Sequence, residues 1–269
     1  MGTIETSLNY SEEASEKPAV YLFRPLPEVT RRGPQPVAHP MQIHDARALE
    51  PAPSLDHEGF ALVHQESAVS NFYDPEQVRA VYFPEVERLV AEATGASRVL
   101  AFDHNVRDAS RASRSEDGAQ TPVRFVHNDY TERSGPQRAR DLVEPDQVDA
   151  LLAKRFAVIN VWRPITGPVQ ASPFAFCDAR SIAPRDLMPI DLVYRDRTGE
   201  VYAAAYNPDH HWYCYPRMQK HEVVLLKCYD STRDGRARFT VHSAFEDPGT
   251  PPEAPARESI EVRTLAFFD

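Results

Sequence analysis

Val123-Arg-Phe-Val-His127-Asn-Asp129 is the stretch from which the fold and the chemistry of this chain are read. Apolar and polar residues alternate over Val123 to His127, the period of a strand with one covered face, so the pattern predicts a strand ending at His127. Positions two apart on a strand share a face, which lets the His127 imidazole and the Asp129 carboxylate reach one metal ion while Asn128 turns away. Val123 and Phe125 lie on that same face, which is then the inside of a barrel. The three residues also read as a turn in which Asp129 caps local backbone.

A second strand, Arg238-Phe-Thr-Val-His242, places Arg238, Thr240 and His242 on one face, so His242 is a candidate third ligand. Two histidines and one carboxylate form the facial triad of a non-heme Fe(II) site, which leaves coordination positions open for oxygen and a cosubstrate. Fifteen positions on, past a proline-rich loop, Arg257 and Ser259 share one face of a last strand spanning Ser259 to Phe268. A guanidinium grips carboxylate in a fork and a hydroxyl adds one donor, which suits the distal carboxylate of a dicarboxylic keto acid. The pair also reads as an exposed Arg at a strand start with a Ser in a turn.

Working outward, strands are expected at Phe60–His64, Arg98–Asp103, Ala157–Trp162, Asp191–Tyr194, Val201–Tyr206 and Glu222–Lys227. Helical spacing covers Pro75 to Ala93 and Glu144 to Phe156. Arg107 to Gln120 and Arg133 to Asp146 have no periodicity and are expected as loops near the site. Many short strands with few helices predict a mainly β protein with peripheral helices, a sandwich or barrel in place of βαβ units. Seven prolines between Pro25 and Pro53 predict an extended arm, so residues 1–59 are expected as a proline-rich N-terminal arm packing on a single domain at 60–269.

Composition narrows the partners. With 30 Lys+Arg against 40 Asp+Glu the net charge is −10, which disfavours nucleic acid and anionic membrane, both of which attract clustered cations. A small molecule is the expected partner. No run approaches the length of a membrane helix, Met1 to Pro18 lacks the layout of a signal peptide, and three cysteines with no Cys-x-x-Cys pair suit a reduced, cytoplasmic setting. Oligomeric state is not readable from the sequence.

Other polar residues are weighed on the same terms. Arg163 faces opposite to Asn160 and Trp162 by alternation, and is a candidate for binding a substrate carboxylate or the cosubstrate, or for a structural ion pair. Tyr213 and Tyr215 line a pocket or fill a core. His210 and His211 point to opposite faces and are poor co-ligands.

Taken in order, the His-x-Asp pair, the distal His and the Arg-x-Ser pair resemble the iron and 2-oxoglutarate dependent oxygenases of the double-stranded β-helix fold, a jelly-roll, cupin-like barrel. More narrowly, the chain is similar to the AsaB/CmcJ/NvfI-like hydroxylase/desaturase family of bacterial and fungal secondary metabolism. The likeness runs from Phe60 to Phe268. It is carried by Phe102-Asp-His104 with Arg107, His127-Asn-Asp-Tyr-Thr131, Asn160-Val-Trp-Arg-Pro164 and Cys177-Asp-Ala-Arg-Ser181, then by His211 to Met218, Lys227 to Ser231, His242-Ser-Ala-Phe245 and Arg257-Glu-Ser259. The resemblance implies His127, Asp129 and His242 as iron ligands, Arg257 and Ser259 as anchors of 2-oxoglutarate, and O2 with a small secondary metabolite as the other reactants. Arg263, on the Arg257 face by alternation, is an alternative anchor. Two further readings are an iron-dependent oxidase that uses no keto acid and a non-catalytic ligand-binding partner of a biosynthetic enzyme.

Overall fold

A computed structural model describes residues 2–24, 26–27, 30–114 and 119–269. Its strands are β1 (Ile4–Ser11), β2 (Ala19–Tyr21), β3 (Pro36–Asp45), β4 (Phe60–His64), β5 (Arg98–Asp108), β6 (His127–Asn128) and β7 (Phe156–Pro164). They continue as β8 (Phe174–Cys177), β9 (Leu187–Val193), β10 (Thr198–Ala204), β11 (Trp212–Cys214), β12 (Glu222–Asp230), β13 (His242–Ala244) and β14 (Glu258–Phe267). One sheet has the order β1-β3-β11-β8-β13-β6-β10-β9-β2 and the other β4-β12-β7-β14-β5. The fold is mainly β with peripheral helices, the double-stranded β-helix that the sequence predicts.

The small sheet is covered on both faces, and its middle strands show why. β7 and β12 are buried along their whole length, whereas a strand with one wet face would alternate. Phe156, Val158 and Trp162 of β7 enter the barrel core; Ala157, Ile159 and Val161 enter an outer layer. That layer is filled by Val86, Leu89 and Val90 of the Phe83–Thr94 helix, each burial contributing about 1.5–3 kcal/mol. The helical run expected from Pro75 onward is continuous to Thr94, and Pro84, which has no N–H to give, sits in the first turn of Phe83–Thr94. The turn before it, Val78–Tyr82, widens to a π-helix in which Phe83 N–H reaches back to Val78.

Several boundaries differ from the sequence expectation. The strand predicted from Val123 is hydrogen-bonded as a ladder only at His127–Asn128, because Val126 N–H donates instead to Asn9 of β1. Val126 is wholly buried against Leu8 and Tyr10, so the well-packed face of this stretch is the one opposite His127. Likewise β13 starts only at His242, since Thr240 N–H is held by the Asn128 side chain, 3.3 Å away. The helix expected over Glu144 to Phe156 spans only Val148–Leu152. Pro145 disfavours helical backbone at Glu144, and the far end is drawn into β7.

A helix forms at Ser134–Leu142 where a loop was expected, with Pro136 tolerated in its first turn. Gly135 is required there, because a Cβ would lie 2.8 Å from the Tyr229 ring. Ala109–Ser113 forms a short helix inside the expected loop from Arg107 to Gln120, of which 115–118 fall outside the described residues.

Within residues 1–59, β1 and β3 pair along eight positions and join the large sheet through β11. Pro36 and Pro40 occupy the part of β3 that has β1 as its one neighbour, where a missing N–H breaks no second ladder. Pro25 lies outside the described residues. Tyr10 ties β1 to the barrel: its hydroxyl accepts from Trp212 Nε1 at 2.8 Å and meets His210 Nδ1 at 3.0 Å, and His210 Nε2 meets Asp186 at 3.1 Å.

Candidate active site

β6 and β13 are neighbours in the large sheet, and their single register pair is His127 opposite His242. Facing positions on adjacent strands bring side chains together, here with ring centroids 4.5 Å apart. Asp129 follows on the same face, its Oδ1 3.6 Å from His127 Nε2. One ligand atom from each of the three residues lies within 4.8 Å of the others, a donor set able to hold a divalent metal ion.

The backbone chooses the imidazole tautomers. His127 Nδ1–H donates to the Phe125 carbonyl at 2.6 Å, and His242 Nδ1–H donates to the Thr240 carbonyl at 3.0 Å. Both rings therefore turn an unprotonated Nε2 toward the cluster, the form a metal requires. Burial, reinforced by the neighbouring His242, draws His127 down to about 4, and burial also lowers His242. Burial pushes the Asp129 carboxyl up, but Arg263 and the two histidines outweigh it and hold the group well below the usual carboxylate range.

Asp129 is gripped by one oxygen. Its Oδ2 accepts from Asn160 Nδ2 and from Arg263 Nε, both at 2.8 Å. Arg263 also meets Asp103 at 3.1 Å and Glu261 at 3.3 Å, so its guanidinium is held on several sides by acidic side chains. Arg263 was considered as an alternative keto acid anchor; the structure gives it to Asp129 instead.

Ser259, Glu261 and Arg263 alternate along the inner face of β14, with Arg257 just before the strand, while Ile260 and Val262 enter the outer layer. At the end away from Asp129 the polar atoms lack partners. Arg257 is buried, its Nη1 donates only to the Ser172 carbonyl at 2.7 Å, and its guanidinium lies 5.4 Å from the Trp162 ring centroid. Among the described residues, Arg257 Nε and Ser259 Oγ are buried with no hydrogen-bond partner. Burial, with help from Arg107, pulls the Arg257 guanidinium down to about 9. Trp162, Phe174 and His242 contact one another in sequence, the first pair tilted and the second edge-on, with centroids 5.0 Å and 5.4 Å apart, and connect this end to the triad.

Two functional neighbours escaped the sequence reading. Asn160 stood in a strand as a lone polar residue, and its parity with Trp162 was the available signal of an inward side chain. Arg107 sits opposite Ser259 in the β5–β14 register and so faces the same interior.

Arg163 is not brought to the cluster, which corrects its expected place in the cosubstrate site. It leaves the opposite face of β7, lies 5.6 Å and 5.8 Å from the Phe72 and Tyr82 ring centroids, and donates to the Lys220 carbonyl. Tyr215 is buried in the barrel core with Tyr213 packed against it. His210 belongs to the Tyr10 tether, and His211 is exposed.

A cavity of about 400 Å³ opens beside Asp129 and Arg263. Its far walls come from the Ser134–Leu142 helix, through Gln137 and Arg138, and from the β9–β10 hairpin, through Leu192, Tyr194 and Val201. Among the described residues no helix is long and apolar enough to cross a membrane.

A jelly-roll barrel that turns two imidazoles and a carboxylate into its interior is the framework of a metal-dependent oxidoreductase. The chain belongs to the hydroxylase/desaturase family of Fe(II)/2-oxoglutarate-dependent oxygenases: residues 8–267 match the family described as "Oxidoreductase/YMDC permease-like domain". Hydroxylase/desaturase efuI of Hormonema carpetanum is 34% identical over 99% of this chain and 96% of its own. The Fe(II)/2-oxoglutarate-dependent dioxygenase nvfI of Aspergillus novofumigatus is 34% identical over 92% of this chain and 90% of its own. The solved structure of the iron and alpha-ketoglutarate-dependent endoperoxidase NvfI superposes with a TM-score of 0.89 at 30% identity, covering 99% of this chain and 98% of that one.

Proposed function

We propose that this protein is an Fe(II)/2-oxoglutarate-dependent dioxygenase that hydroxylates, desaturates or cyclises a small secondary metabolite. His127, Asp129 and His242 are its iron ligands, and Arg257 with Ser259 binds the distal carboxylate of 2-oxoglutarate. The observation that carries the reading is the pair of orphaned donors at Arg257 Nε and Ser259 Oγ. A buried polar group without a partner costs about 1–3 kcal/mol, more when charged, so a guanidinium and a hydroxyl orphaned two residues apart on one face call for a bound acceptor. Arg257 has no carboxylate partner among the described residues, and Arg107 faces the same space. A dicarboxylate supplies the missing negative charge.

When bound, Fe(II) with 2-oxoglutarate and O2 supplies the oxidising chemistry, the cosubstrate leaving as succinate and carbon dioxide. The chain's own groups do the rest. Phe125 and Thr240 carbonyls fix both imidazoles, Asn160 and Arg263 orient Asp129, and Trp162 and Phe174 exclude water between the anchor and the triad. The cavity beside Asp129 lies at the opposite end of the β14 face from Arg257, about 20 Å along the strand at 3.3 Å per residue, so the metabolite and the cosubstrate approach from different ends.

The test is anaerobic addition of Fe(II) and 2-oxoglutarate to metal-free protein. The visible charge-transfer band of a chelated keto acid is expected, and with a substrate in hand succinate forms in step with oxidised product. Iron uptake with no band and no succinate above the His242→Ala background would move the reading to an oxidase that uses no keto acid.

A further inference from the structure

The position of Asp129 is set by two residues that do not reach the cluster themselves. We infer that Arg263 and Asn160 act together as a clamp that restricts Asp129 to one oxygen toward the metal, an inference that rests on the iron reading above. Both donors engage Oδ2 at 2.8 Å, one from β14 and one from β7. These strands are paired, with Arg263 opposite Asn160 in register, so the clamp is a property of the sheet and not of a flexible loop.

With Oδ2 occupied by two hydrogen bonds, Oδ1 is the oxygen that faces His127 Nε2. A carboxylate offering both oxygens would take a coordination position that the cosubstrate or oxygen needs. Holding one oxygen back keeps three of six octahedral positions open against three protein ligands.

Two observations separate this role from a plain structural ion pair. Arg263 is itself fixed on its far side by Asp103 and Glu261, which leaves its Nε edge one direction to point. Asn160 is fully buried with Oδ1 unpartnered, so among the described residues the bond that its amide gives to Asp129 is its one side-chain hydrogen bond to another side chain. An apolar residue would fill that place in a wholly buried strand at lower cost.

Metal affinity, measured apart from turnover, tests the clamp. Fe(II) is titrated anaerobically into wild type, Arg263→Lys, Arg263→Gln and Asn160→Ala against a chromophoric chelator, with Co(II) as an air-stable check. Removing such an outer partner typically weakens metal binding about 10–100-fold. That loss is expected for Arg263→Gln and Asn160→Ala, with partial recovery in Arg263→Lys, and the apparent dissociation constant for 2-oxoglutarate at saturating metal rises in both, because the freed Oδ2 competes for a position the keto acid needs. A structural role alone would shift thermal stability and leave metal affinity in place. If Arg263→Gln does not fold, Asn160→Ala, which removes no charge, decides the matter. Unchanged metal affinity together with an unchanged 2-oxoglutarate constant in the folded Asn160→Ala protein overturns the clamp and leaves the iron reading standing. A wild-type protein that takes up no metal overturns both.

Discussion

Two arginines of one stretch, the buried Arg257 just before β14 and the half-buried Arg263 within it, are solved in opposite ways. Arg263 is surrounded by carboxylates, donating to Asp129 and Asp103 and lying 3.3 Å from Glu261 as an ion pair. Arg257 meets one backbone carbonyl and an aromatic face, and is drawn down toward about 9 by its burial. A satisfied guanidinium positions its neighbours, because its hydrogen bonds have nowhere else to go. An unsatisfied one is held ready, because its desolvation has been incurred without the matching gain. The same residue type in one stretch thus reads as scaffold at one position and as ligand site at the other.

The largest expected effect tests the metal end. Asp129→Ala and His242→Ala each remove one of three ligands, and Fe(II) affinity is expected to fall by more than about 100-fold, beyond the usual loss for an outer partner. Calorimetric titration of the metal-free variants measures this. Near wild-type uptake in either variant shows that the cluster is not the metal site.

Next is the orphaned end, where function and stability are expected to separate. Arg257→Met gives up charge-assisted hydrogen bonds to a carboxylate, each worth about 1.5–3 kcal/mol, so the KM for 2-oxoglutarate rises about 10–100-fold. The metal-free protein loses an uncompensated buried cation at the same time, so its thermal midpoint holds or rises. A large drop in midpoint with unchanged KM would make Arg257 scaffold like Arg263 and erase the contrast.

Acidity sharpens the comparison at intermediate size. His127 falls from its ordinary value of 6.5 to about 4 on folding, so between those pH values the unfolded chain binds the proton that the native state refuses. Stability of the metal-free protein therefore rises with pH across this window and is lost as pH falls through it. Urea midpoints from pH 7 downward record the slope, and His127→Gln is expected to flatten it. An equal slope in the variant assigns the effect to other groups.

The smallest effect concerns one hydroxyl. Ser259→Ala removes a single neutral donor worth about 0.5–1.5 kcal/mol, a KM increase of about 2–10-fold for 2-oxoglutarate. Because Oγ has no partner in the protein, the thermal midpoint is not expected to fall. Arg163→Met serves as the control on the outer face of the sheet and leaves that KM unchanged.

Local periodicity determined a good part of the molecule. Apolar runs located β4, β7 and β12 within a few residues, since both faces of these strands are covered, and alternation located β14. It also set His127 with Asp129, and Arg257 with Ser259, on common faces, because a period of two is intrinsic to extended backbone. Other features had no local signal. β1, β3 and β8 carry weak or proline-interrupted patterns, and their place comes from partners far away in sequence. The Ser134–Leu142 helix is masked by its Gly and Pro, which are there for a close approach to Tyr229 and a first-turn position.

At the site, the sequence supplied the donor types, and only the tertiary structure decided their assignments. Arg163, Arg257 and Arg263 are equivalent as letters, all on strands with polar neighbours. Pairing of β14 with β7 put Arg263 beside Asn160 and under Asp129, burial left Arg257 with no carboxylate partner among the described residues, and the layer beneath the helix took Arg163. Which arginine positions, which binds and which packs is fixed by what lies across the barrel from it. That is a fact of long-range contact, and no window of sequence contains it.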